Sequence, residues 1–288
     1  LRLVRWPGAA TAAANALTGF LVAHSVSTRG EAVAACAVAA GGAVVYSGGV
    51  VLNDVADAER DRTLHPSRPI PSGDVAKTTA ARFGLALLVG GAGLSMAFGG
   101  PWAGAATAAA ALFAWLYDFS AKRFRVFGAA TLAAARAANA LAGALVGAAA
   151  LDASTDAPAV LYPSAVFAYT ALLTWTSTFE ERRPGRATLG ACASALFVAA
   201  ALPWSVFVAE WRAAPAIAYA VLLVTLTSAA RDAAEDGGPG VGLLVRAGVF
   251  GFLLVDAAWL FGAGRYGGGF GLVLGYVALR LVLARARS

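Results

Sequence analysis

Ten apolar runs, each about 20 residues long, constrain this chain more than any other feature, because a helix of that length crosses the hydrocarbon core of a bilayer. They lie near residues 9–27, 32–53, 76–98, 102–118, 127–150, 158–178, 188–209, 213–230, 241–261 and 267–284. Between them the chain is polar and mostly short. The expected architecture is an all-α, polytopic transmembrane bundle of nine or ten spans, occupying residues 1–288 as one domain. Composition agrees: 59% of the residues are hydrophobic and 13% charged, where soluble domains carry roughly 25% charged residues. Mean hydropathy is +0.70. The apolar residues are mainly Ala, Leu, Val and Gly, which lets helices approach closely in lipid.

The net charge of +6 is explained by where the basic residues fall, and no nucleic-acid partner is expected. Only Arg29, Arg212 and Arg265 lie on one side of the ten spans, leaving 19 of the 22 on the other. Basic residues collect on the cytoplasmic side, so the N-terminus and the loops after the even-numbered runs are expected there. Four polar clusters share that side: 53–73, 117–123, 177–188 and 231–236. Cys36 and Cys192 fall inside apolar runs and read as packing residues, and His24 and His65 lack metal-ligand spacing.

The cluster at the end of the second run is the sharpest. It reads Asn53-Asp54-Val55-Ala56-Asp57-Ala58-Glu59-Arg60-Asp61-Arg62 and is followed by Arg68-Pro69-Ile70-Pro71-Ser72-Gly73. As a helix it places Asp54, Asp57 and Asp61 at i, i+3 and i+7, on one face. Three like charges side by side repel unless a cation sits among them. Mg²⁺ favours carboxylate oxygens and completes its shell with water or substrate phosphate. Arginines nearby suit the rest of a phosphate or diphosphate. The competing reading is a solvated charged loop between two spans.

The pattern Asn-Asp-x-x-Asp-x-x-x-Asp with Arg-Pro-Ile-Pro-Ser-Gly downstream resembles the first signature of the UbiA superfamily of intramembrane prenyltransferases. The resemblance implies a membrane enzyme that uses Mg²⁺ to transfer an isoprenyl group from a prenyl diphosphate to a lipophilic acceptor. It implies that Asp54, Asp57 and Asp61 hold the metal, that Asn53 ligates or orients, and that Arg62 and Arg68 contact the diphosphate. Tyr117 and Lys122 resemble the Tyr and Lys that relatives carry after the fourth span, there to flank the cation and neutralise diphosphate. On position alone, Tyr117 reads equally well as an interfacial aromatic.

The superfamily's second signature is Asp-x-x-x-Asp with Gly and Thr downstream. Aligned on Gly185 and Thr188, this chain has Ser177 first and Glu181 second, with Glu180 adjacent. Glu181 is the implied second metal ligand, while Ser177 and Glu180 are implied substrate contacts. A serine at this place resembles the EboC-like branch of the superfamily, and leaves open a non-catalytic prenyl-lipid carrier of the same fold. A transporter is disfavoured, because it would put ionisable groups near the midplane.

Arg136 and Asn139 stand one turn apart inside the fifth run, and are expected to face the bundle and the substrate. Asp256 lies inside the ninth run, either paired or near the outer rim. Asp232 and Asp236 read as a solvated loop. Trp115, Trp175 and Phe179 approach the active mouth, where the two readings are lining of the prenyl channel and core packing, the latter the simpler expectation for each.

Overall fold

The computed structural model describes residues 6–147, 157–180, 184–201, 213–235 and 240–285, and every regular element among them is helical. In order these are α1 (Trp6–Ala23), α2 (Arg29–Ala56), α3 (Ala58–Leu64), α4 (Lys77–Gly99), α5 (Pro101–Phe119), a single 3₁₀ turn at Ala121–Arg123, α6 (Arg125–Ala144), α7 (Ala157–Ser177), α8 (Arg186–Ala201), α9 (Ala213–Glu235), α10 (Gly240–Gly262) and α11 (Tyr266–Arg285). Each apolar run corresponds to one long helix, and α3 is a short addition within the acidic stretch. By length and composition, five helices are apolar enough to cross a membrane: α2, α4, and the segments Ala159–Ser177, Ala214–Glu235 and Val241–Gly262.

Local chemistry sets the boundaries. Thr28 caps α2 with a reciprocal capping box: its side chain accepts the Glu31 N–H at 3.1 Å, and the Glu31 carboxylate accepts the Thr28 N–H at 3.0 Å. Gly100, at φ +90°, permits the tight turn from α4 into α5, which Pro101 then opens. Arg265 tethers the end of α1, donating to the carbonyls of Leu21 (3.1 Å) and His24 (3.2 Å).

From α1 to α6, small residues set the spacing. A Cβ on Gly143 would collide with the Ala16 carbonyl, so α6 and α1 cross nearly backbone to backbone. From α7 to α11 the packing is by bulk. Tyr162, Tyr169, Leu196, Leu222, Leu226, Leu244, Leu254 and Trp259 share one buried cluster. In α10 every residue from Gly251 to Phe261 is buried, as a helix apolar all round must be. The helix touches α1, α7, α8, α9 and α11, and so joins the two halves.

The outer surface is apolar. Phe83, Leu85, Val89, Met96 and Phe98 are exposed along α4, and Phe270, Leu274, Val277 and Leu281 along α11, a surface suited to lipid. Trp115 and Trp175 are exposed too, which corrects both expectations for them: they belong neither to the core nor to the channel wall. Phe179 packs against the large cluster, as core packing predicts. Cys36 is exposed and Cys192 half-buried, both as free thiols.

Candidate functional site

The acidic stretch is not one uninterrupted helix. It breaks for a single residue at Asp57 (φ −89°, ψ 1°), and α3 resumes at Ala58. The three aspartates therefore do not converge on one point. Asp54 and Asp61, both buried, meet at the Arg68 guanidinium: Nη1 lies 2.5 Å from Asp61 Oδ2 and 3.6 Å from Asp54 Oδ1. Asp57 instead turns to Lys122, whose Nζ lies 2.6 Å from Asp57 Oδ1 and 3.3 Å from Asn53 Oδ1. The loop 65–76 places Arg68 through its own turns, with backbone bonds from Arg68 N to His65 O and from Ser72 N to Arg68 O. Lys122 arrives on the 3₁₀ turn after α5.

Arg62 is placed differently from Arg68. It pairs with Glu59 at 2.6 Å, both side chains 66% exposed, away from the acidic pair. Its neighbour Asp61 points inward, and one residue further along a helix the side chain has turned about 100°.

Beneath this mouth lies a cavity of about 310 Å³. Its upper wall carries Asn53, Tyr117, Asp118 and Ser177, and apolar residues such as Val45, Ala110, Leu132 and Val249 continue the lining. Tyr117 is thus a cavity residue. Ser177 Oγ donates to the Thr174 carbonyl at 2.8 Å. Glu180 is not among the lining residues. Burial raises its pKa, and Arg246 pulls it partly back. Glu181 lies outside the described residues.

Arg136 and Asn139 also line the cavity, well inside the bundle. Arg136 is eleven residues into α6, about 16 Å along its axis. Its Nε donates to Asn15 Oδ1 at 2.7 Å and its Nη2 to Thr11 Oγ1 at 2.6 Å, and its guanidinium stacks 3.9 Å from the Phe252 ring centroid. Asn15 passes the charge on. Its Nδ2 donates to both oxygens of Asp256 at 2.9 Å, and the Tyr162 hydroxyl donates to Asp256 Oδ1 at 2.7 Å. Asp256 is fully buried, which decides between its two readings in favour of pairing. Asn139 Nδ2 donates to the Ala12 carbonyl at 2.8 Å, and its Oδ1 faces Gly42, where a Cβ would collide.

Thr11, Asn15, Tyr46, Tyr162, Phe252 and Asp118 are site or support residues that sequence reasoning passed over. Asn15 stood in plain view as an amide inside an apolar run. Asp118 lies within the polar cluster 117–123, beside Tyr117.

The donor chemistry fits magnesium. Asn53, Asp54, Asp57 and Asp61 offer only hard oxygens, and they form two pairs, each closing on one positive nitrogen. Mg²⁺ is ordinarily held by one or two carboxylates plus substrate phosphates. Among the described residues no three acidic, His or Cys side chains gather as a ready-made cage, so such an ion would need phosphate oxygens to complete its shell.

Comparison with known proteins adds the lineage. The model of the UbiA prenyltransferase family matches residues 12–236. A digeranylgeranylglyceryl phosphate synthase of Methanoculleus marisnigri is 40% identical over 91 residues, 32% of this chain and 31% of that protein. The chain thus spans about a third of the length of the curated relatives it matches. The fold is shared with an Aeropyrum pernix UbiA homologue (TM-score 0.63, 16% identity, 89% and 98% of the two chains). It is shared also with an Archaeoglobus fulgidus UbiA homologue bound to GPP and Mg²⁺ (TM-score 0.58, 14% identity, 95% and 98%).

Proposed function

The chain belongs to the UbiA prenyltransferase family, and on that premise we propose that it transfers an isoprenyl group from a prenyl diphosphate to a lipophilic acceptor inside the membrane. The observation that carries this reading is a mouth of paired oxygens and two cationic side chains set over a largely apolar cavity.

Asp54 with Asp61, and Asp57 with Asn53, are the groups that would hold Mg²⁺. When bound, magnesium neutralises the diphosphate and eases its departure. Arg68 and Lys122, each now held by carboxylate, exchange those partners for phosphate oxygens. Tyr117 flanks the start of the prenyl chain. Val45, Ala110, Leu132 and Val249 take the isoprenoid and keep water from the electron-poor allylic carbon. Arg136 and Asn139 supply polar contacts to substrate further in.

The whole of residues 1–288 acts as one domain of nine or ten spans in the cell membrane. Its N-terminus and the mouth face the cytoplasm, as the basic loops require. The relatives named as digeranylgeranylglyceryl phosphate synthases favour a lipid acceptor over a soluble one.

Purified protein in lipid nanodiscs, given radiolabelled geranylgeranyl diphosphate and Mg²⁺, tests the reading. Diphosphate release is expected to fall about 10²–10³-fold in both Asp54→Ala and Asp57→Ala. Tight binding without turnover, across a broad set of acceptors, would instead identify a carrier.

A further inference from the structure

One carboxylate at the site is unaccounted for. Asp118, in the last turn of α5, is 4% exposed and lines the cavity, and its Oδ2 has no hydrogen-bond partner among the described residues. A buried carboxylate oxygen left unpaired is costly, and one that opens onto a substrate cavity is usually completed by the substrate. The other carboxylates of the mouth are engaged: Asp54 and Asp61 at Arg68, Asp57 at Lys122.

Its place is specific. Asp118 is within electrostatic reach of Lys122, Asp57 and Asp54, and it shares the cavity wall with Asn53, Tyr117 and Ser177. It lies where the charged mouth gives way to the apolar cavity. A prenyl diphosphate with its phosphates at Lys122 and its tail below has its reacting carbon at that border. On α7 the side chain opposite is Ser177, whose hydroxyl proton is already given to Thr174 O. Among the described residues, Asp118 is therefore the cavity carboxylate available to a group entering there.

We propose that Asp118 binds the hydroxyl of an alcohol acceptor and takes its proton during transfer. This rests on the prenyl-transfer reading and names the acceptor class within it. The acceptor oxygen forms a bond to the first prenyl carbon. The bond from that carbon to the diphosphate oxygen breaks, its electron pair leaving with diphosphate. The hydroxyl proton passes to Asp118 Oδ2. A single carboxylate oxygen left unpaired suits a neutral hydroxyl, which brings one proton to it. It does not by itself make an ion site, because no three acidic groups gather among the described residues.

The test uses the full chain in nanodiscs and two probes, a long-chain 1-O-alkylglycerol and its di-O-methyl ether. Wild type is expected to bind the alcohol about tenfold more tightly than the ether, and Asp118→Ala to bind both alike. In Asp118→Asn, which keeps the side chain's shape, transfer to the alcohol should fall at least about 100-fold in kcat. Its affinity for geranylgeranyl diphosphate with Mg²⁺ should stay within about threefold of wild type, because the donor is held through Arg68, Lys122 and the carboxylates of α2 and α3 and not through Asp118. Equal binding of alcohol and ether by wild type overturns the proposal. So does a weakened donor affinity or a raised Mg²⁺ requirement in Asp118→Asn, which would make Asp118 part of the diphosphate site. A wild type that binds no prenyl diphosphate sinks the prenyl-transfer reading instead, and the alcohol-to-ether ratio still reports on Asp118.

Discussion

From α1 to α6 the helices meet through glycine and alanine; from α7 to α11 they meet through Tyr, Trp, Phe and Leu. The first half brings backbones close, as at Gly143 against Ala16, and carries the ionic mouth: Asn53, Asp54, Asp57, Asp61, Arg68 and Lys122. The second half contributes Thr170, Leu173, Thr174, Ser177, Val245, Val249 and Phe252 to the cavity, and no charged group. One half handles charge and the other excludes water. They are tied together in the interior by Asp256 of α10, which reaches Arg136 of α6 through Asn15 of α1. The difference teaches that charge near the surface is free to serve the ligand, whereas charge in the interior must also tie helices together.

Removing the internal tie should give the largest effect on stability. Asp256→Leu leaves the Arg136 guanidinium uncompensated and is expected to cost about 3–5 kcal/mol, read as a lowered midpoint of thermal unfolding in detergent. The double variant Arg136→Met with Asp256→Leu should recover most of that loss, and no recovery would mean that Asp256 acts by shape rather than charge.

At the mouth the balance should reverse. Lys122→Ala is expected to weaken prenyl diphosphate binding about tenfold to hundredfold, the worth of a charge-assisted hydrogen bond. Its unfolding midpoint should stay close to that of wild type, because Lys122 and Asp57 are both partly open to solvent. A large drop in midpoint would erase the contrast between the two ends of the cavity.

Ser177→Ala sharpens the comparison from the α7 side. The hydroxyl is bonded within its own helix, so transfer should change less than about threefold, a surplus helix-internal bond being worth little. A loss beyond tenfold would return Ser177 to the diphosphate site. The smallest effect is expected at Arg62, where removing an exposed pair with Glu59 should shift stability by less than about 1 kcal/mol and leave turnover unchanged.

Much of the site was legible because it is local. Asp54, Asp57 and Asp61 lie within eight residues, and the spacing alone puts Asp54 and Asp61 together. Spacing could not reveal the interruption at Asp57, which sends that carboxylate to Lys122 instead of to its neighbours. Nor could it reveal that Arg62 pairs with Glu59, since adjacency to Asp61 in sequence is a turn of about 100° on a helix. Asp118 was not legible at all, since nothing in the linear cluster 117–123 says which side chain is buried with an oxygen unpaired.

The sequence by itself determined that the chain is helical and that its outer surface is apolar. Hydropathy and run length act within a single segment and need no distant partner. Only the tertiary structure decided which polar groups meet. Asn15 and Asp256 stand 241 positions apart, and Lys122 and Asp57 stand 65 apart. Their contacts depend on how closely helices cross, which glycine and alanine at the crossings permit and no local pattern encodes.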